Sequence, residues 1–113
     1  MRKIKILFIC HGNICRSPMA EFVMKDLVKR AGLASQFHIE SAATSREEIG
    51  NPVYPPARRK LAEHGISCNG HAARQLTNQD LLCFPLKNLV ISGVSAYQIL
   101  KPYVLSLVFS LTG

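Results

Sequence analysis

A short polar loop, Cys10-His11-Gly12-Asn13-Ile14-Cys15-Arg16, sits between an apolar run and a helix-opening pair. That placement constrains the fold more than any other feature of the chain. The run, Lys3 to Ile9, is enriched in Ile and Phe and lacks the alternation of a half-exposed strand. It predicts a buried parallel strand. Gly12 and Asn13 permit unusual backbone angles in the loop. Ser17 is expected as the N-cap of the following helix, with Pro18 at its first position and Glu21 in its first turn. Met19, Phe22, Val23, Leu27, Val28 and Ala31 then make an apolar face at helical spacing. Lys29 and Arg30 suit the C-terminal end of that helix, and Gly32 stops it. Phe37 to Ala42 predicts a second strand. Strand, helix and strand in that order form a crossover unit, so the chain begins as an α/β fold.

Further along, residues 44 to 56 predict a loop punctuated by Gly50, Pro52, Pro55 and Pro56. A helix is expected from about Pro56 to His64, stopping at Gly65, and Gly70 to Gln75 predicts a polar connection. Thr77 is placed to cap a short helix, with Asp80 three residues on as in a capping box. Asn88 to Ser92 and Tyr103 to Phe109 are the expected later strands.

The length, 113 residues, suits one domain spanning residues 1–113. With 48% apolar residues, four Cys and no strong bias, the composition excludes a disordered tail, a collagen-like repeat and a disulfide scaffold. The net charge is +7, which favours an anionic partner. The basic residues are scattered, with Arg58-Arg59-Lys60 the only run of three and no aromatic residues interleaved, so nucleic acid is not the expected partner. The N-terminal apolar run is too short for a signal peptide, and Lys101-Pro102 splits the apolar C-terminal segment below the ~20 residues of a bilayer span. No membrane association is expected. A cytoplasmic location would keep Cys10, Cys15, Cys68 and Cys83 reduced. The histidines show no metal-ligand spacing, and neither a metal nor a cofactor is expected.

The loop itself carries the chemistry. Five residues between Cys10 and Arg16 can curl so that successive N–H groups from His11 to Ser17 face inward as an anion nest. The helix start adds partial positive charge at the same place. Arg16 offers a planar fork that matches two phosphate oxygens. Cys10 at the floor of such a nest is favoured as a thiolate, the nucleophilic form. The implied reaction is phosphoryl transfer to sulfur, followed by hydrolysis of a phosphocysteine. Amides and Arg16 would stabilise the equatorial oxygens without a metal.

The stretch from Ile9 to Glu21 resembles the low-molecular-weight protein-tyrosine phosphatases. Ile39-Glu40-Ser41-Ala42-Ala43-Thr44-Ser45, Leu61 to Ser67 and Gly70 to Thr77 are similar to the same family, so the resemblance covers about residues 4–80. It implies a three-layer flavodoxin-like fold, with a four-stranded parallel sheet and a phosphate-binding loop after the first strand. It implies Cys10 as nucleophile and Arg16 as phosphate and transition-state ligand. Ser17 resembles the donor to the thiolate, and Asn13 the residue that holds the loop in a left-handed turn, supported by Ser41 and His71. Cys15 matches a second cysteine that forms a reversible disulfide with the nucleophile under oxidation; its other reading is a packed core thiol. His71 likewise has a plain reading as a surface imidazole. Ile14, where a polar Thr could stand, favours tyrosine by this resemblance. The implied substrate is a phosphotyrosine protein or a small aryl phosphate.

The resemblance stops short at the C-terminal side. All seven acidic residues lie at or before Asp80, and residues 81–113 carry only Lys87 and Lys101 as charged side chains. The family places its general acid on a late Asp-Pro loop, so no residue is assigned that role here, and Asp80 belongs to a helix start. A phosphatase impaired in protonating its leaving group is the resulting expectation. Leu81 onward also departs from the family's next strand, which suggests a truncated gene or a shifted reading frame. Segment 81–113 is accordingly atypical. Two alternatives accompany the phosphatase reading: a thiol enzyme like the arsenate reductases, and a phosphate-binding remnant without turnover. Glu47 stands where the family often has an aromatic residue beside the cleft.

Overall fold

The computed structural model describes residues 3–85 and 88–91. Strand β1 (Ile4–Cys10) leads into helix α1 (Arg16–Arg30), and a 3-10 turn at Ala34–Gln36 leads into β2 (Phe37–Ala43). Helices α2 (Pro55–Glu63) and α3 (Asn78–Cys83) follow, and then β3 (Leu89–Ile91). The three strands form one parallel sheet in the order β2-β1-β3. Ile4 pairs with Phe37 and Cys10 with Ala43 on one side of β1, and Leu7 pairs with Leu89 on the other.

The central position of β1 explains its unbroken apolar run. Ile6, Leu7 and Phe8 have no exposed surface. Both faces of the strand are covered, as a parallel sheet requires. Ile6 and Phe8 pack with Ala20, Met24 and Val28 of α1 and with Phe37 and Ile39 of β2. Leu7 and Ile9 pack on the opposite face with Ala42 and Phe84, against Leu76 and Leu89. Burial of each large side chain contributes about 1.5–3 kcal/mol. A third cluster joins Ala57 and Leu61 of α2 to Val53 and Cys68, and Met19, Phe22 and Val23 of α1 pack on it.

Helix α1 starts earlier than expected. Its N-cap is Cys15, and Ser17 and Pro18 are its second and third residues. Ser17 makes no cap bond because its hydroxyl is engaged by Cys10 and Asn13. Pro18 is tolerated there because the first four N–H groups of a helix have no intrahelical acceptor. Glu21 therefore lies beyond the first turn, which holds no acid. The buried face also rotates: Ala20, Met24 and Val28 meet the sheet, while Ala31 is exposed. Gly32 adopts φ +73° just past the helix, the left-handed stop that favours glycine.

Thr77 and Asp80 form the expected reciprocal capping box of α3. Upstream of it, the segment predicted as a plain polar connection is tied to the end of β2. Ala43 N–H donates to Arg74 O at 2.8 Å, and Leu76 N–H donates to Ala43 O at 2.7 Å. The first of the later strands forms at Leu89–Ile91, beside β1. Ser92 and Tyr103 to Phe109 lie outside the described residues. Among the described residues no helix is long and apolar enough to cross a membrane.

Candidate active site

The loop His11–Cys15 leaves the carboxyl end of β1 and enters α1, the edge at which parallel sheets present ligand sites. Asn13 has φ 59°, the only left-handed residue other than glycine among those described. Such a conformation costs an ordinary residue roughly 1–2 kcal/mol and is better tolerated by Asn. Here it is held from every side. Asn13 Nδ2 donates to Ser17 Oγ at 2.7 Å and to Ser41 Oγ at 2.8 Å. Its Oδ1 accepts from Arg74 N–H at 3.1 Å, and its carbonyl accepts from His71 Nε2 at 2.8 Å. A carbonyl only accepts, so His71 carries its proton on Nε2. Asn13 and Ser17 have no exposed surface.

This turn aims a backbone donor at sulfur. Asn13 N–H points to Cys10 Sγ at 3.2 Å, and Ser17 Oγ lies 3.0 Å from the same atom. Above Cys10 opens a cavity of about 210 Å³, lined by residues 10–16 with Glu47 and Glu48 at its side. The N–H groups of Gly12, Ile14, Cys15, Arg16 and Ser17 have no protein acceptor among the described residues. The Arg16 guanidinium, on the first residue of α1, likewise has no protein partner among them and lines the cavity. Free N–H groups, the positive end of a helix and an unpaired guanidinium together suit an anion. The sulfur and these free donors thus share one small cleft.

Cys15 is half-buried, lines the cavity and packs on the Val53, Leu61 and Cys68 cluster. Burial pushes its thiol above the ordinary cysteine value; the Cys10 sulfur adds to that and Arg16 opposes it. All four cysteines are free thiols. His11 is exposed, and its Nε2 meets Glu47 Oε2 at 3.0 Å on the rim. Glu48 lies against Gly12 and accepts from Asn51 Nδ2 at 2.6 Å. Among the described residues no group of three or more His, Cys, Asp or Glu could hold a metal.

Three charged groups to which the sequence assigned no role at the site, Glu21, Arg74 and Asp80, complete the support. Glu21 is buried and accepts from Ser41 Oγ at 2.5 Å and from Lys25 Nζ at 2.6 Å. Arg74 clasps Asp80 through two bonds of 2.8 and 3.0 Å. Burial pushes the Asp80 carboxyl up, but the Arg74 and Thr77 hydrogen bonds and the Arg74 charge outweigh it and leave it below the usual carboxylate value. The Asp80 bond, against a smaller effect of burial, holds Arg74 above its ordinary value. The only local signals for these residues were the four-residue spacing of Glu21 and Lys25 and the capping box of Asp80. Neither spacing foretells a link to residue 13.

The comparisons agree with this geometry. The family model for low molecular weight phosphotyrosine protein phosphatase matches residues 5–90. That match extends past residue 80 and takes in Leu89 and Val90 of β3. A Bacillus subtilis low molecular weight protein-tyrosine-phosphatase, YfkJ, is 45% identical over 78 residues, covering 69% of this chain and 50% of that protein. The human low molecular weight phosphotyrosine protein phosphatase is 44% identical over 79 residues, covering 70% of this chain and 49% of the relative. The chain spans about half the length of the curated relatives it matches. The crystal structure of YfkJ superposes with a TM-score of 0.78 at 36% identity, over 90% of this chain and 63% of that one. A Drosophila arginine phosphatase structure superposes with a TM-score of 0.72 at 31% identity, over 91% of this chain and 63% of that one. By its parallel sheet, by the loop that closes around Cys10 and by these matches, the chain belongs to the low molecular weight phosphotyrosine protein phosphatase family.

Proposed function

We propose that residues 1–113 form one phosphatase domain that hydrolyses aryl phosphate monoesters, phosphotyrosine in proteins above all, through a cysteinyl phosphate. The observation that carries this reading is the position of Cys10 Sγ. It lies under the anion cavity, 3.2 Å from Asn13 N–H and 3.0 Å from Ser17 Oγ. The Cys10 thiolate attacks phosphorus, the S–P bond forms and the P–O bond to the aryl group breaks. The electron pair leaves with the aryl oxygen. Loop amides and the Arg16 guanidinium take the equatorial oxygens, whose charge they stabilise most in the transition state. Water then attacks the phosphocysteine, releasing inorganic phosphate and the thiolate. Ile14 in the loop supports an aromatic ester.

Residues 81–113 hold no Asp or Glu side chain, and within these 113 residues no side chain is assigned to protonate the departing phenolate. A phenol of pKa ~10 leaves slowly under those conditions. Turnover by these 113 residues without such a donor is expected to be slower by about 10²- to 10⁴-fold. Rapid-quench kinetics of the 113-residue chain test both statements. 4-Nitrophenyl phosphate is expected to give a burst and a phosphorylated Cys10, while phosphotyrosine turns over slower by about that factor. Cys10→Ser abolishes both signals. Equal hydrolysis by Cys10→Ser refutes the catalytic assignment, and phosphate binding with no burst identifies a binding remnant.

A further inference from the structure

We propose that Glu21 is a positioning residue for the nucleophile, acting through Ser41, Asn13 and Ser17 on the proton that faces Cys10. The inference rests on Cys10 being the nucleophile, as proposed above. Glu21 is 7% exposed and takes no part in lining the cavity over Cys10. It faces a separate cavity of about 340 Å³ behind the loop.

Hydrogen-bond direction links Glu21 to Cys10. A carboxylate accepts and never donates. The single hydroxyl hydrogen of Ser41 is therefore committed to Glu21 Oε1. Ser41 Oγ is left as an acceptor, and Asn13 Nδ2 donates to it at 2.8 Å. The second Nδ2 hydrogen of Asn13 goes to Ser17 Oγ at 2.7 Å. Ser17 oxygen thus accepts from Asn13, and it lies 3.0 Å from Cys10 sulfur. While Cys10 is a thiol it donates to Ser17 Oγ. Once the proton has gone to solvent, Ser17 donates back to the thiolate. Without an acceptor at position 21, the Ser41 hydrogen is released to compete with Asn13 Nδ2, and the order of the chain is lost.

Charge alone makes the opposite demand. The charged or titratable groups around Glu21 are Lys25 on its own helix, Glu40 on β2, and His71 and Arg74 on the following loop. Removing the Glu21 negative charge from that setting favours a thiolate nearby. Removing its acceptor disfavours one. The two effects differ in sign, so one measurement separates them.

The experiment is the pH profile of Cys10 alkylation by iodoacetamide, read at Cys10 by peptide mass spectrometry on the full chain. Glu21→Leu is expected to raise the alkylation midpoint by about one pH unit, a tenfold loss of thiolate below it. Glu21→Gln removes the charge but keeps an acceptor oxygen for Ser41, and is expected at or slightly below the wild-type midpoint. Ser41→Ala breaks the next link and shifts upward like Glu21→Leu, and the double variant shifts no further. An unchanged or lowered midpoint in Glu21→Leu overturns the proposal, as does an upward shift in Glu21→Gln equal to it. Should Glu21→Leu fail to fold, an unshifted Ser41→Ala overturns it instead. Alkylation requires no turnover, so a chain that titrates as expected yet hydrolyses no ester defeats only the proposed function. A chain that turns over with an unmoved Glu21→Leu profile defeats only this inference.

Discussion

His71 Nε2 donates to the backbone carbonyl of Asn13 at 2.8 Å, closing a loop of 58 residues onto the left-handed turn beside Cys10. The His71 ring also meets Phe22 edge-on, with centroids 5.9 Å apart. His71→Phe keeps a ring there and removes the donor. An acceptor left unpaired costs about 1–3 kcal/mol. Urea unfolding is expected to show that loss. On an activated aryl phosphate, kcat/KM is expected to fall about tenfold, the equivalent of ~1.4 kcal/mol. Wild-type activity in His71→Phe would show that Asn13 holds its turn without this bond.

The Arg74–Asp80 pair carries a pH dependence. Asp80 sits below the usual carboxylate value when folded, through Arg74 and Thr77. Its contribution to stability is therefore complete above the unfolded value of ~3.9 and is lost as pH falls through the lower folded value. The stability gap between wild type and Asp80→Asn is expected to be constant from neutral pH down to about pH 5 and to close below pH 4. Denaturant melts across that range measure it. A gap that widens in acid would contradict the sign.

Glu47 lies on the rim of an anion cleft, paired with His11 at 3.0 Å. A carboxylate there repels a phosphate dianion through solvent. Glu47→Gln is expected to lower KM for aryl phosphates about two- to fivefold with kcat unchanged, in line with ~0.5–1 kcal/mol for exposed charges. Added salt is expected to erase the difference. An unchanged KM at low salt would place Glu47 too far from the bound dianion to matter.

Helix α1 offers a test of its packed face. Met24 is 1% exposed against the sheet, whereas Ala31 is exposed. Met24→Ala is expected to cost about 2–5 kcal/mol. Ala31→Glu is expected to stay within roughly 0.5 kcal/mol of wild type. Thermal or urea denaturation reads both, and equal losses would rule out the face described.

The strand β1, the loop after it and the Thr77 cap were legible because their causes are local. An apolar run without alternation marks a strand covered on both faces, and Ile6, Leu7 and Phe8 are covered in that way. Cys10, Asn13 and Arg16 stand within seven residues of one another, so one loop is enough to bring them together. The start of α1 was less legible. Ser17-Pro18 has the form of a cap, but Ser17 spends its hydroxyl on Cys10 and Asn13.

By itself the sequence determined where sulfur, amides and guanidinium meet, because their spacing is short and a strand and a helix bracket them. The family resemblance implied Ser41 and His71 as supports of that loop, and only the tertiary structure brought in Arg74, Glu21 and Asp80. Asn13 is gripped by Ser41, His71 and Arg74, and behind them stand Glu21 and Asp80. The bonds from Ser41, His71 and Arg74 to Asn13 span 28, 58 and 61 residues, and periodicity and capping rules carry no information at that range. They exist because the parallel pairing of β1 with β2 sets Ser41 opposite Phe8, while the bridge from Ala43 to Gln75 lays the His71–Arg74 segment over the same turn.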